Sequence, residues 1–164
     1  EMLGQHGIWE KQKFFEASAR VPLLIRWPKN FAPRVVEENV NHCDLFATLC
    51  DLAALPTPEG LDSRSMAGLM QGETDAWHAN WRNETISHFA DEFLMIKWDA
   101  LKYQYYGETM PEVLFDLERD PGETKNLIHD SRYADWLPRF RQRRAELGYG
   151  PDADKGYVNA GYDI

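Results

Sequence analysis

Four short β-rich segments between Glu84 and Leu117 do most to limit what this 164-residue chain can fold into. They are Thr85-Ile86-Ser87-His88-Phe89, Phe93 to Trp98, Leu101 to Tyr106 and Val113 to Leu117, with polar turns at Asp91-Glu92, Asp99-Ala100 and Gly107-Glu108. Strand-forming runs joined by connections this brief make an antiparallel meander, because a parallel crossover needs a dozen or more residues. The alternation Lys102-Tyr103-Gln104-Tyr105 predicts one wet face and one packed face. Asp120-Pro121-Gly122 closes the sheet in a tight turn. Beyond it, Tyr133, Trp136, Leu137, Phe140 and Leu147 recur at near-helical spacing up to Gly148. A helix entered near Asp135 tolerates Pro138 in its first turn and lies on the packed face.

The N-terminal stretch has a different character. Gly4, Gln5, His6 and Gly7 form a glycine-punctuated polar loop, followed by a short amphipathic segment and then Val21-Pro22-Leu23-Leu24-Ile25. That run is too short to span a membrane and too uniformly apolar for a half-exposed strand, so it predicts a strand buried on both faces. A loop carrying His6 and Lys11 beside such a strand is where α/β enzymes keep their chemistry. The chain opens without Met and inside this stretch, which suggests a natural beginning further upstream.

Between these regions, Pro28 to Arg34 reads as a loop. Asp44 opens a helix whose Leu45, Phe46, Leu49, Leu52 and Leu55 share helical spacing up to Pro56, with the Asp44 carboxylate capping backbone amides. A metal pair of His42 and Asp44 lacks a third ligand nearby in sequence. Pro56 to Ser65 is a loop, Met66 to Met70 a short helical turn, and Trp77 and Trp81 are packing anchors. Tyr149 to Ile164 is an irregular tail that could be mobile or wrap a partner subunit. The expected division is therefore 1–60, 61–148 and a tail over 149–164.

Composition excludes some classes. With 43% apolar and 27% charged residues the chain is globular rather than disordered. A net charge of -9 leaves no basic surplus to neutralise phosphates, which argues against a nucleic-acid binder. The cluster Arg139, Arg141, Arg143 and Arg144 reads as the solvated face of a helix. Cys43 and Cys50 sit two helical turns apart, roughly 10 Å along the axis, too far to bridge. Free buried thiols fit a reducing compartment such as the cytoplasm. No apolar run reaches transmembrane length, so no membrane partner is expected.

Three stretches, in order, carry a resemblance. Glu1-Met2-Leu3-Gly4-Gln5-His6-Gly7-Ile8-Trp9-Glu10-Lys11, with Phe14-Phe15-Glu16 and Arg20-Val21-Pro22-Leu23 behind it, resembles the sulfatase segment D-H-G-E-M-L-G-x-H-G-L-W-x-K that ends in R-V-P-L. Val40 to Pro58 is similar to that family's D-L-x-P-T-L-x-D-L-A-G-L-P, with Ala47 and Ala54 replacing its proline and glycine. Val113-Leu114-Phe115-Asp116-Leu117, Asp120-Pro121-Gly122-Glu123 and Asn126-Leu127 resemble its C-terminal signature. The resemblance is to sulfatases of the arylsulfatase and choline-sulfatase kind, in the alkaline phosphatase superfamily. It implies an α+β fold: a remnant of the large alkaline-phosphatase-like α/β sheet, strand plus helix, then a small four-stranded antiparallel sheet packed with a C-terminal helix.

The resemblance also implies chemistry. Lys11 takes the position of the lysine that contacts the sulfate oxygens of the substrate, where a compact ammonium stabilises developing charge. His6 protonates the leaving alcohol or holds the substrate, or else serves only structurally. His88, with Asp91, borders the substrate pocket. A divalent cation, calcium in most sulfatases and manganese in some relatives, and a formylglycine nucleophile are implied as well. Neither Cys43-Asp44-Leu45 nor Cys50-Asp51-Leu52 fits the C/S-x-P-x-R pattern that yields formylglycine, and the metal-binding aspartates are absent. The chain alone is therefore expected to be inactive, with nucleophile and metal ligands outside it. The implied partner is a sulfate ester of a small molecule or saccharide. A phosphonate monoester or phosphodiester hydrolase is the alternative enzyme. A module that homo-oligomerises through its sheet and tail, or binds carbohydrate, is the alternative outside catalysis.

Overall fold

The computed structural model describes residues 1–11, 13–73, 83–89 and 92–151. Contacts group residues 1–22 with 86–164 in one compact unit and residues 23–85 in another, whereas the sequence-based boundaries fall at 60 and 148. Trp77, Trp81, Asp91 and the tail beyond residue 151 lie outside the described residues.

The fold is α+β, and the meander forms as expected. Strands β1 (Glu84–Phe89), β2 (Phe93–Trp98), β3 (Leu101–Tyr106) and β4 (Val113–Asp116) make a four-stranded antiparallel sheet in the order β1-β2-β3-β4. Pairing sets Lys97 opposite Lys102, Met95 opposite Gln104, and Tyr103 opposite Leu114. Because side chains alternate along a strand, this register sorts the sheet into two faces.

One face carries Leu94, Ile96, Trp98, Tyr103, Tyr105 and Leu114, all buried. It receives the C-terminal helix (Leu137–Glu146), which begins two residues later than expected with Pro138 in its first turn. Phe140, fully buried, stacks on Trp98 at 4.6 Å and on Tyr103 at 5.4 Å between ring centroids. The arginines of this helix are not uniformly solvated, contrary to the sequence reading. Arg144 is 7% exposed, lies over the Tyr105 ring at 4.5 Å, and donates to Glu112 at 2.8 Å. Arg141 also donates to Glu112, and the Tyr103 hydroxyl closes the cluster with a short bond to the same carboxylate.

The opposite face corrects a second expectation. Lys102 and Gln104 are fully buried, and every residue from Lys102 to Tyr106 is buried. Alternation identifies which residues share a face, but here both faces are covered. The cover is the N-terminal segment: Phe14 packs with Met95 and Tyr106, and Phe15 tilts against Phe115 at 5.9 Å.

In the 23–85 unit, a helix over Asp44–Leu52 starts where expected and stops short of Pro56. Asp44 is buried and does collect backbone amides, but those of Asn41 (2.8 Å) and Arg64 (3.0 Å), from outside the helix. Thr48 accepts from the Met66 amide at 2.9 Å, fastening this helix to the short one over Ala67–Gln71. Cys43 and Cys50 are free, but Cys43 is exposed and Cys50 half-buried, not buried as expected. The predicted strand at Val21 to Ile25 is absent too. The backbone there joins no ladder, and Val21, Leu23, Leu24 and Ile25 are exposed, Leu24 by 88%. Among the described residues no strand lies alongside to pair its amides, and no second layer covers its side chains.

Candidate functional site

The loop that bears His6 and Lys11 is coiled tightly by its own backbone. Leu3, Gly4, His6 and Gly7 all adopt positive φ, at 49°, 94°, 51° and 72°. Glycine does so freely, whereas a leucine or histidine there is strained and must be held. The hold comes from within: the Gly4 amide donates to Ile8 O at 2.9 Å and the Gln5 amide to Met2 O at 2.9 Å. Met2 is buried, and the His6 ring lies flat on Phe15 at 4.0 Å. Phe15 in turn tilts against Phe115 of β4, so a chain of three rings in contact joins the loop to the sheet.

Lys11 lies at the edge of this loop with a side chain 72% exposed. Its ion-pair partner among the described residues is Glu1 at 3.4 Å, itself 52% exposed. A pair so open to water is weak, which leaves the ammonium available to an arriving anion. The backbone of Lys11 is better fixed than its charge: Ser18 Oγ donates to Lys11 O at 2.7 Å. Ser18 belongs to a single-turn helix, Glu16–Ala19, that closes the segment.

That helix is seated by a buried ionic cluster. Lys102 Nζ, fully enclosed, donates to Glu16 Oε1 and Glu123 Oε1 at 2.8 Å each, and the Glu16 amide donates to Glu123 Oε2 at 2.5 Å. Two strong acceptors around one ammonium satisfy a charge that would otherwise be prohibitive to bury. Beside it, burial lowers the pKa of Lys97, against the opposing pull of Glu16. Gln104 extends the contact, accepting from the Tyr106 hydroxyl at 2.8 Å and donating to Phe14 O at 3.5 Å. Burial pushes the Tyr106 hydroxyl up to about 12, so it remains a donor throughout the physiological range.

His6 and Lys11 thus share one loop, while His88 is exposed on β1 with its ring 6.4 Å from that of Tyr149. No contact joins His88 to the other two among the described residues. Sequence reasoning missed Lys102, Glu16, Glu123 and Ser18 as parts of this region. Glu16 and Glu123 stood inside the quoted motifs, and a lysine between Leu101 and Tyr103 in a strand was their one visible cue.

The implied cation and formylglycine find no place here. Among the described residues no group of three His, Cys, Asp or Glu side chains is arranged to hold a metal, and both Asp44 oxygens already accept amides. These residues do not fit either group.

A fold in which a glycine-coiled lysine loop docks on a C-terminal antiparallel meander defines a sulfatase-type C-terminal region. The chain belongs to that family: the model described as N-sulphoglucosamine sulphohydrolase, C-terminal, matches residues 4–148. It is 35% identical over 135 residues to a choline-sulfatase of Rhizobium meliloti, covering 80% of this chain and 26% of that protein. It is 28% identical over 147 residues to an arylsulfatase of Clostridium perfringens, covering 87% and 30%. The chain thus spans between a quarter and a third of the length of these relatives. The fold matches a protein solved in complex with D-glucosamine-2-N,6-O-disulfate, with a TM-score of 0.69 and 22% identity over 86% of this chain and 30% of that one.

Proposed function

We propose that this chain supplies the anion-gripping loop and its supporting subdomain to a sulfatase that hydrolyses a sulfate ester to an alcohol and inorganic sulfate. The observation that carries the reading is Lys11: an exposed ammonium, loosely paired with Glu1, on a backbone fixed by Ser18. A compact cation held this way binds a tetrahedral oxyanion and opposes the charge that grows on its oxygens as the ester bond breaks. His6, placed on the same loop by its stack on Phe15, holds the substrate or delivers a proton to the departing alkoxide. His88, exposed on β1, is the further substrate contact in this reading. The nucleophile and the ligands of the divalent cation, calcium or manganese, are supplied from outside these 164 residues, so the chain by itself is inactive. The names of the relatives, aryl and choline sulfatases beside a hexuronate-2-O-sulfatase, support a sulfate ester of a small molecule or a saccharide as substrate.

The test uses the full-length protein with matched aryl sulfate and aryl phosphonate monoesters. The sulfate is expected to be the preferred substrate, and Lys11→Ala to lower kcat/KM by about 100-fold, the scale of losing one oxyanion partner. A strong preference for the phosphonate replaces the sulfatase reading with a phosphoryl-transfer one. Unchanged kinetics in Lys11→Ala remove the lysine from the site.

A further inference from the structure

We infer that Lys102, through Glu123, Glu16 and Ser18, is a positioning residue for Lys11, so that the buried cluster under the sheet sets the geometry of the anion site. This rests on the reading of Lys11 given above. The path is continuous in the structure. Lys102 Nζ holds Glu123 and Glu16 at 2.8 Å each; Glu123 accepts the Glu16 amide at 2.5 Å; Glu16 opens the single-turn helix; and Ser18 of that helix holds Lys11 O at 2.7 Å.

Each link is directional. Glu123 uses one oxygen for the ammonium and the other for the Glu16 amide, so its orientation fixes both at once. Glu123 itself sits at φ 53°, a strained backbone that persists only when its surroundings enforce it. Lys102 is enclosed completely, so its charge has no partner in water if the two carboxylates move away. By contrast, the ammonium of Lys11 lies in solvent beside Glu1, and that weak pair does not hold its place. Besides the His6 contact with Phe15 at its other end, the lysine loop is therefore held where it meets Ser18. Displacing a binding group by about 1 Å can cost up to about 100-fold in rate, which makes such an anchor consequential without its touching substrate.

The experiment is a pair of double-mutant cycles in the full-length enzyme, crossing Lys11→Ala with Lys102→Met and with Ser18→Ala, and following kcat and KM for an aryl sulfate together with thermal unfolding. In the parent background Lys102→Met is expected to lower kcat about tenfold or more and Ser18→Ala about threefold to tenfold. In the Lys11→Ala background both are expected to have less than about a twofold effect, because the group they position is gone. A purely structural role lowers activity by the same factor in both backgrounds, and that result overturns the proposal. So does full activity in Ser18→Ala. Should Lys102→Met fail to fold, the Ser18→Ala cycle decides by itself, since that hydrogen bond is exposed. A silent Lys11→Ala instead refutes the reading of Lys11 as the anion grip. An impaired Lys11→Ala with no coupling refutes only the anchor.

Discussion

Lys102 is the residue where physical chemistry and sequence pattern part company. In the pattern it is the polar member of an alternating strand; in the structure it is a fully buried cation between two carboxylates. Removing one member of such a cluster is far more damaging than its net contribution suggests, because the survivors keep their desolvation cost. Lys102→Met leaves Glu16 and Glu123 facing each other, and a loss of about 3–5 kcal/mol in unfolding free energy is expected from denaturant melts. Phe140 is the apolar counterpart on the other face. Fully buried and stacked on Trp98 and Tyr103, it is expected to lose about 3–5 kcal/mol on truncation to alanine, by transfer and cavity terms together. A melt within about 1 kcal/mol of the parent contradicts that packing.

Among elements, the C-terminal helix is tied to the sheet by polar as well as apolar contact. Although burial alone raises the Glu112 pKa, bonds from Arg141 and Tyr103 outweigh it and leave the carboxyl below its ordinary value of 4.5. A carboxyl lowered in the folded state stabilises fully above its unfolded value, and that contribution disappears as the pH falls through the folded one. Thermal midpoints are therefore expected to fall below pH 4.5, with a shallower fall in Glu112→Gln; an identical pH profile for the two proteins refutes the role of this contact. The strands of the meander and the C-terminal helix were legible because their periodicity is local: turns, alternation and helical spacing all lie within a few residues. The cover on the second face was not, since Glu16 meets Glu123 across 107 positions of sequence. Val21 to Ile25 failed for the opposite reason: an apolar run announces that something must cover it, but a strand exists only with a neighbour to pair with.

On the scale of the whole molecule, the 23–85 unit leaves a broad apolar surface. Leu23, Leu24, Ile25, Trp27 and Val35 are exposed, and Leu23 to Val36 with Met66, Leu69 and Met70 line an open groove of about 980 Å³. Exposed apolar area of this kind drives association. The 164-residue chain expressed by itself is expected to self-associate at high concentration, and Leu24→Lys to reduce this; a clean monomer by light scattering argues against it. The candidate site is a matter of whole-chain geometry as well. That His6 and Lys11 share one loop was legible from a motif, but the ring contacts and the ionic cluster beneath them depend on a sheet formed from the far half of the chain. That separation has a consequence in time. At synthesis rates of about 5–20 residues per second, Lys11 joins the chain roughly 5–20 s before Glu123 is added. The site is therefore assembled late, and the loop must wait uncommitted while its dock is still being made.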